Sequence, residues 1–235
     1  MDGADAVMAA LGLILGADPA FLGIVQVSLS VTITAVTLAA LIGLPLGCLL
    51  ALARFPGRSA IIVLTSALMG LPPVVAGLVV FLVLSRTGPL GSLGLLFTPT
   101  AMIIAQTLLV LPIVIAISRQ VLEDLFDEYR EHLTGLGLTS WRAIPTLLWD
   151  GRFALVTALL AGFGRASAEV GAVLIVGGNI AGYTRTMTTS IALETSKGDL
   201  PLALGLGLVL ILLTLVVNAI AYGASRVGAR MAGGR

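Results

Sequence analysis

The chain has 235 residues, of which 58% are apolar and 11% are charged, whereas a soluble domain carries about 25% charged residues. Its formal net charge of +1 indicates no nucleic-acid partner, and its single cysteine, Cys48, excludes an internal disulfide. This composition predicts an all-α, polytopic membrane protein, because a bilayer can cover so much apolar surface.

The first 18 residues are predicted to be an extracytoplasmic N-terminal segment. No basic residue precedes the apolar stretch 6–17, so the sequence does not predict a cleavable secretory signal. The stretch is also too short to cross a bilayer, which favours a helix that lies in the membrane interface.

Residues 19–225 are predicted to form a single transmembrane domain with five helical spans. Each of the five stretches is long enough, since a span needs ~17–25 residues. The fourth stretch differs from the others because it contains two charged residues, Arg165 and Glu169. In chain order the predicted spans cover residues 20–53, 59–84, 98–118, 152–178 and 200–225.

Lysine and arginine are distributed unevenly between the two sides of these spans. Alternate connections, together with the tail 226–235, hold nine basic residues, against three on the opposite side. Cytoplasmic segments carry an excess of Lys and Arg, so the N-terminus is predicted outside and the C-terminus inside. The connection 119–151 is then predicted to lie in the cytoplasm.

Residues 119–151 form the one long hydrophilic stretch of the sequence. Acidic residues lead, glycines follow, and Thr139 or Ser140 can cap a second short helix that begins at Trp141. The pattern predicts a helix, a glycine turn and a helix at the membrane surface. On these residues alone, a solvated connecting loop is an equally good interpretation.

The segment Glu131-His132-Leu133 with Gly137 resembles the cytoplasmic coupling loop of ATP-binding-cassette (ABC) importer permeases. The family motif has a glutamate, two alanines and a glycine, followed by Ile-x-Leu-Pro. This chain keeps the glutamate and the glycine at the right spacing but replaces the alanines and the Ile-x-Leu-Pro residues. The resemblance implies that the ATPase-coupling loop contains Glu131, His132, Gly135, Gly137, Trp141 and Arg142.

Residues 162–200 carry the more specific part of the resemblance, which extends over roughly residues 20–225. The run from Gly162 to Ile180 is similar to the corresponding span of oxyanion importer permeases. The continuation from Thr184 to Leu200 most resembles tungstate-type permeases. Molybdate and sulphate permeases share the Gly-Asn and Thr-Arg elements of this block more loosely.

The resemblance implies a type I ABC importer permease-like fold in the prokaryotic inner membrane, surrounded by lipid. It also implies the partners, which are a second copy of the chain, two cytoplasmic ABC ATPases and an extracytoplasmic oxyanion-binding protein. ATP and Mg are expected in the ATPases, since this chain lacks a Gly-x4-Gly-Lys-Ser/Thr loop. No catalytic or metal site is predicted, because His132 is the single histidine and suits an ordinary surface position.

The fourth span and the segment after it supply candidates for the translocation path or its gate. Arg165 and Glu169 lie four apart on one helical face and are expected to pair, as a gate or as a structural brace. Neutral hydroxyl and amide donors suit a tetrahedral dianion, although such side chains also cap helices. The candidate donors are Asn179, Thr184, Thr186, Thr188 and Thr189.

Four charged residues near the outer side, Arg185, Glu194, Lys197 and Asp199, are expected to be exposed. They are candidates for docking the binding protein by charge complementarity.

The predicted function is ATP-driven import of an oxyanion, with tungstate first and molybdate or sulphate as alternatives. A stand-alone ion-coupled carrier or channel would need titratable groups in several spans, and only the fourth span has any. A membrane-embedded scaffold without transport is the third interpretation.

Overall fold

The computed structural model describes residues 8, 11–12, 14–16, 18–135 and 140–233, without the side chains of 132–134, 140, 224–225 and 227–233. Within these ranges the chain is all-helical. Half of the predicted interfacial helix over 6–17 lies within them, and residues 8, 11–12 and 14–15 are helical. Gly137 and Thr139 lie outside the described residues. The helices are α1 (Pro19–Leu52), α2 (Arg58–Met69), α3 (Pro73–Leu84), α4 (Pro99–Gly135), α5 (Ile144–Asp150), α6 (Arg152–Ser167), α7 (Gly171–Gly177), α8 (Met187–Lys197) and α9 (Leu200–Gly233).

Three of these helices, α1, α4 and α9, are long and apolar enough to cross a membrane. Two bent helix pairs raise the number of candidate spans to five. The pairs are α2 with α3, and the segment Trp141–Asp150 with α6. About five membrane helices were expected from hydropathy, and an odd number of spans places the two ends of the chain on opposite sides.

Two of the long helices, α1 and α4, approach each other closely along a line of small residues. A Cβ added at Gly43 would lie 2.8 Å from Val114 Cγ1, and one added at Gly47 would collide with Ser118 Oγ. Small residues allow two backbones to approach in this way. The Gly43/Gly47 pair therefore packs against α4 of the same chain.

The central core lies where α1, α3, α4 and α7 meet. Val31, Ala76, Met102 and Val173 are among its most deeply buried members. Since α7 is only seven residues long and three of its apolar residues are in this core, it is held by packing on both α3 and α4.

The predicted second span, residues 59–84, is not one helix. It is divided into α2 and α3, which meet at an angle of 104°. The break falls at Gly70-Leu71-Pro72-Pro73, because proline lacks the backbone N–H that continues a helix and disfavours helical geometry at the preceding residue.

The predicted fourth span, residues 152–178, is also interrupted. Helix α6 ends at Ser167 and α7 begins at Gly171. No proline lies in this break. Instead the Glu169 carboxylate accepts a hydrogen bond from the backbone N–H of Ala172, which caps the start of α7 and offers the chain an alternative to continuous helix.

The predicted boundary between the third span and the cytoplasmic segment at residue 118 is not a helix end. Helix α4 continues for 37 residues to Gly135. A helix of that length measures about 55 Å, against about 30 Å for the hydrocarbon core of a bilayer. Its C-terminal part therefore projects beyond the membrane as a rigid continuation of the span.

Candidate translocation path and coupling arm

The break between α6 and α7 contains an ion pair. Arg165 NH1 lies 2.9 Å from Glu169 Oε2, and the Glu169 side chain is 4% exposed while that of Arg165 is 35% exposed. Glu169 Oε1 accepts the N–H of Ala172 at 3.0 Å. Glu169 is thus held by both of its carboxylate oxygens, whereas Arg165 keeps a partly open side.

The N-terminus of α8 lies against the same break. Thr188 Oγ1 donates to the backbone oxygen of Glu169 at 2.7 Å, and the N–H of Met187 donates to Ser28 Oγ of α1 at 2.6 Å. Helix α8 is therefore tied to α1 and to the break rather than lying free on the outer surface. Ser28 was not predicted from the sequence, although a hydroxyl within an apolar stretch could have indicated it.

The threonines after the break are buried and bonded to one another. Thr186 and Thr189 form a reciprocal capping box at the start of α8, which satisfies N–H groups that have no partner inside the helix. Thr189 Oγ1 also donates to Asn179 Oδ1 at 2.9 Å. The structure thus uses these side chains to cap and link helices, which was the alternative to an open row of anion donors.

Thr184 closes the turn that follows α7. Its Oγ1 donates to the backbone oxygen of Gly177 at 2.6 Å and accepts the N–H of Ile180 at 2.9 Å. Gly178 and Asn179 adopt left-handed backbone conformations there, with φ of 71° and 51°. Asn179 tolerates this region better than most residues other than glycine, so the turn fits the Gly-Asn sequence.

Two buried polar atoms beside the break have no hydrogen-bond partner among the described residues. They are Gln106 Oε1 and Ser167 Oγ. Gln106 is 3% exposed and donates through Nε2 to the backbone oxygen of Ala166 at 3.2 Å. A buried polar group without a partner is costly, so these atoms mark a place that suits a polar occupant. Gln106 was not predicted from the sequence, although its side-chain amide within an uncharged span could have indicated it.

The four outer charged residues are not all exposed, contrary to expectation. Glu194 is 5% exposed and lies between Lys197 Nζ at 3.1 Å and Arg185 NH1 at 3.7 Å. Helix α8 turns this carboxylate inward, where two cations offset the cost of burial. Lys197 and Asp199 are exposed, and Asp199 Oδ1 accepts the N–H of Leu202 at the start of α9.

The predicted coupling loop begins at the far end of the projecting part of α4. Glu131 and Gly135 are exposed there, and Trp141 and Arg142 are exposed on a short 3-10 turn, Ser140–Ala143. The side chain of His132 and all of Gly137 lie outside the described residues. A helical segment includes Trp141 as predicted, but its first turn is 3-10. The α-helix begins at Ile144, and Pro145 suits the first turn of a helix.

This end of the molecule, here called the coupling arm (residues 119–135 and 140–150), has its own small core. Leu122 of α4 packs with Leu147 of α5 and with Cys48 and Leu52 of α1. Tyr129 Oη donates to Asp150 Oδ2 at 3.0 Å, which ties the two limbs of the arm together. The arm is therefore packed against the end of α1 and can move with it.

Residues 43–228 match the family model described as "Binding-protein-dependent transport system inner membrane component". The chain belongs to this family. The matched range includes the coupling arm, the break between α6 and α7, and the buried threonines. As a member of the family, the chain is a multi-pass component of the inner membrane that acts in transport.

Curated members of the family are similar over most of the chain. A probable anion ABC transporter permease protein of Haloferax volcanii is 43% identical over 202 residues, 84% of this chain and 87% of that protein. The tungstate uptake system permease protein TupB of Peptoclostridium acidaminophilum is 40% identical over 219 residues, 93% and 96% of the two chains. The sulfate transport system permease protein CysT of Escherichia coli is 31% identical over 168 residues, 68% and 61%.

Proposed function

We propose that this chain is the transmembrane permease subunit of an ATP-driven ABC importer that moves tungstate into the cytoplasm. The observation that carries the proposal is the 40% identity to a tungstate uptake permease across 93% of this chain. The aligned region includes the break between α6 and α7, the buried threonines and the coupling arm. The sulfate permease relative, at 31% identity, makes sulphate the alternative substrate. Molybdate is a further alternative, which comes from the sequence resemblance.

In this proposal the break between α6 and α7 lies on the translocation path. A dianion that crosses a low-dielectric layer needs hydrogen-bond donors and compensating charge. A break in a span that is buried among other helices supplies both without exposing unpaired backbone groups to lipid. Arg165 offers the open part of its guanidinium, and Gln106 and Ser167 offer polar atoms that lack protein partners.

The paired state of Arg165 suits passage better than an isolated cation would. A free guanidinium in a buried site would hold a dianion tightly, since charge-assisted hydrogen bonds are among the strong ones in proteins. Because Glu169 already shares Arg165, the attraction to a passing anion is weaker, and the anion can leave. The pair then acts as a gate that also braces the start of α7.

The driving force in this proposal comes from two cytoplasmic ATPase subunits, which bind ATP and Mg. Glu131, His132, Gly135, Gly137, Trp141 and Arg142 form the contact, at the end of a helix that is continuous with a membrane span. A push on the coupling arm is transmitted along α4 to its contacts with α1 and α6, because packed helices move as units.

A second copy of the chain and an extracytoplasmic binding protein complete the proposed transporter. Of the four docking candidates, Lys197 and Asp199 remain accessible for docking the binding protein. Arg185 and Glu194 support that surface from within through their ion pair instead of facing the partner. Rim charges of this kind change the association rate more than the final affinity.

Competition during uptake tests the substrate. Cells that depend on this transporter take up radiolabelled molybdate, sulphate or tungstate while each unlabelled anion is added in turn. We expect unlabelled tungstate to suppress uptake at concentrations at which molybdate and sulphate do not. Suppression by sulphate at equal or lower concentration than tungstate would contradict the tungstate assignment while leaving oxyanion import in place.

A further inference from the structure

A polar cavity of about 180 Å³ lies where the end of α1, the start of α2 and the projecting part of α4 meet. It is separate from the break between α6 and α7. Three arginines and two carboxylates line it, namely Arg54, Arg58, Arg130, Glu123 and Asp127. Its volume is well above the roughly 30 Å³ that one water molecule occupies in the liquid, so it has room for a phosphate-sized group.

The carboxylates of this cavity are already committed to cations. Arg58 donates through NH2 to Glu123 Oε1 at 2.7 Å and through Nε to the backbone oxygen of Leu50 at 2.7 Å. Arg119 pairs with the other oxygen of Glu123. Arg130 lies 3.8 Å from Asp127. Each acid of the cavity thus has at least one arginine of its own.

Arg54 is the cation left over from these pairings. It is exposed, stands two residues after the end of α1, and lines the cavity. It forms no hydrogen bond or ion pair with another residue in the part of the chain that the structure describes. The cavity is lined by three arginines and two carboxylates, so the net charge of its lining is positive.

The cavity also lies beside an apolar surface that faces outward. Helix α2 starts at Arg58, and its next turns present Ile61, Val63 and Leu64 with 42%, 67% and 58% of their surfaces exposed. The basic-residue asymmetry places this end of α1 on the cytoplasmic side. A basic pocket next to an exposed apolar face, near the cytoplasmic end of the predicted spans, has the features that recognise an anionic lipid.

We propose that this cavity binds one phosphate-type oxyanion group, supplied by the headgroup of an anionic membrane lipid. Arg54 contacts the phosphate directly, with Arg58 and Arg130 contributing positive charge from the walls. The acyl chains lie along the exposed face of α2. The bound lipid then joins α1 and α2 to the part of α4 that continues into the coupling arm. The proposal does not depend on which substrate is transported.

Native mass spectrometry tests this proposal. The full chain is purified with its partner subunits and titrated with equal amounts of phosphatidylglycerol and phosphatidylcholine. We expect the wild type to retain more phosphatidylglycerol than phosphatidylcholine. Arg54→Gln should weaken that retention about tenfold, as expected for one charged hydrogen bond. Arg54→Lys should restore part of it. Arg226→Gln is the matched control, since Arg226 lies at the same membrane side but on α9, stacked on Tyr222.

The results that would overturn the proposal are specific. Equal retention by wild type and Arg54→Gln would show that the cavity does not bind the lipid. An equal loss in Arg226→Gln would show a general charge effect rather than a site. A parallel titration with inorganic phosphate in phosphatidylcholine nanodiscs distinguishes the source. Arg54-dependent binding of free phosphate, without phosphatidylglycerol retention, would replace the lipid with a soluble anion.

Discussion

At the scale of single residues, the ion pair between Arg165 and Glu169 has two separable roles. One is structural, because Glu169 Oε1 caps α7 through the N–H of Ala172. The other is electrostatic, because the pair places a partly open guanidinium at the break. A neutral replacement of both residues separates these roles, since glutamine at position 169 can still accept that hydrogen bond.

We expect Arg165→Gln/Glu169→Gln to lower tungstate uptake by about 10- to 100-fold, the equivalent of one lost charged contact. The thermal midpoint of the purified protein should change little, because the cap and a neutral side-chain contact remain. Uptake assays and thermal unfolding on the same preparation check both points. Full uptake with an unchanged midpoint would contradict the electrostatic role and remove the pair from the path.

The residue scale also shows what the sequence could predict and what it could not. The four-residue spacing of Arg165 and Glu169 correctly predicted their pairing. The expectation that they lie on one helical face was wrong, because α6 ends at Ser167 and Glu169 lies in the break that follows. The burial of Glu194 was not predictable in this way. Its burial depends on the packing of α8 against α9 and α1. Arg185 reaches the carboxylate from the segment before α8, whereas Lys197 lies three residues along the same helix.

At the scale of helices, the position of α7 depends on its close contact with α3. A Cβ added at Gly77 would lie 2.7 Å from the Cα of Ala172, and backbone atoms cannot yield as a flexible side chain can. Gly77→Ala should therefore destabilise the protein by roughly 1–3 kcal/mol, the usual cost of overpacking. A loss of about 2–4 °C in the thermal midpoint per kcal/mol is expected for a chain of this size.

Gly207→Ala is the control for this substitution. Gly207 also lies inside an apolar helix, but an added Cβ would meet nothing within 4 Å. Alanine should be neutral or slightly stabilising there, because it favours helix more than glycine does. Equal melting of the two variants would mean that α3 and α7 are not packed as described.

A second prediction at this scale concerns the coupling arm. Glu131→Arg should uncouple ATP hydrolysis from uptake, because it reverses an exposed charge at the proposed ATPase contact. Asp124→Arg makes the same charge change on an exposed residue of the same helix, seven residues nearer the membrane, and should leave coupling intact. The ratio of ATP hydrolysed to tungstate imported measures the effect. An unchanged ratio in Glu131→Arg would contradict the assignment of the contact.

Hydropathy located the membrane segments well but could not locate their breaks equally well. The two prolines at 72 and 73 carry a visible signal for the bend between α2 and α3. The break after Ser167 carries no such signal, because it depends on a side-chain cap and on packing against α3 and α8. Hydropathy likewise did not indicate that α4 continues to Gly135, because a helix that leaves the membrane becomes polar without ending.

At the scale of the whole molecule, composition alone indicated a polytopic membrane protein, and the family match confirms that class. The orientation with the N-terminus outside stays a prediction from basic residues. The substrate is harder to predict for a physical reason. Tetrahedral oxyanions share shape and charge, so a path made for passage rather than tight binding discriminates weakly among them.

Reconstitution into proteoliposomes gives the most direct test of the central claim, that this chain imports tungstate only as part of an ATP-driven complex. The chain is reconstituted alone and together with its ATPase and binding protein, and radiolabelled tungstate uptake is measured with and without ATP. We predict uptake only in the complete complex with ATP on the ATPase side. Uptake by the chain alone, driven by an ion gradient, would contradict the account and support a stand-alone carrier.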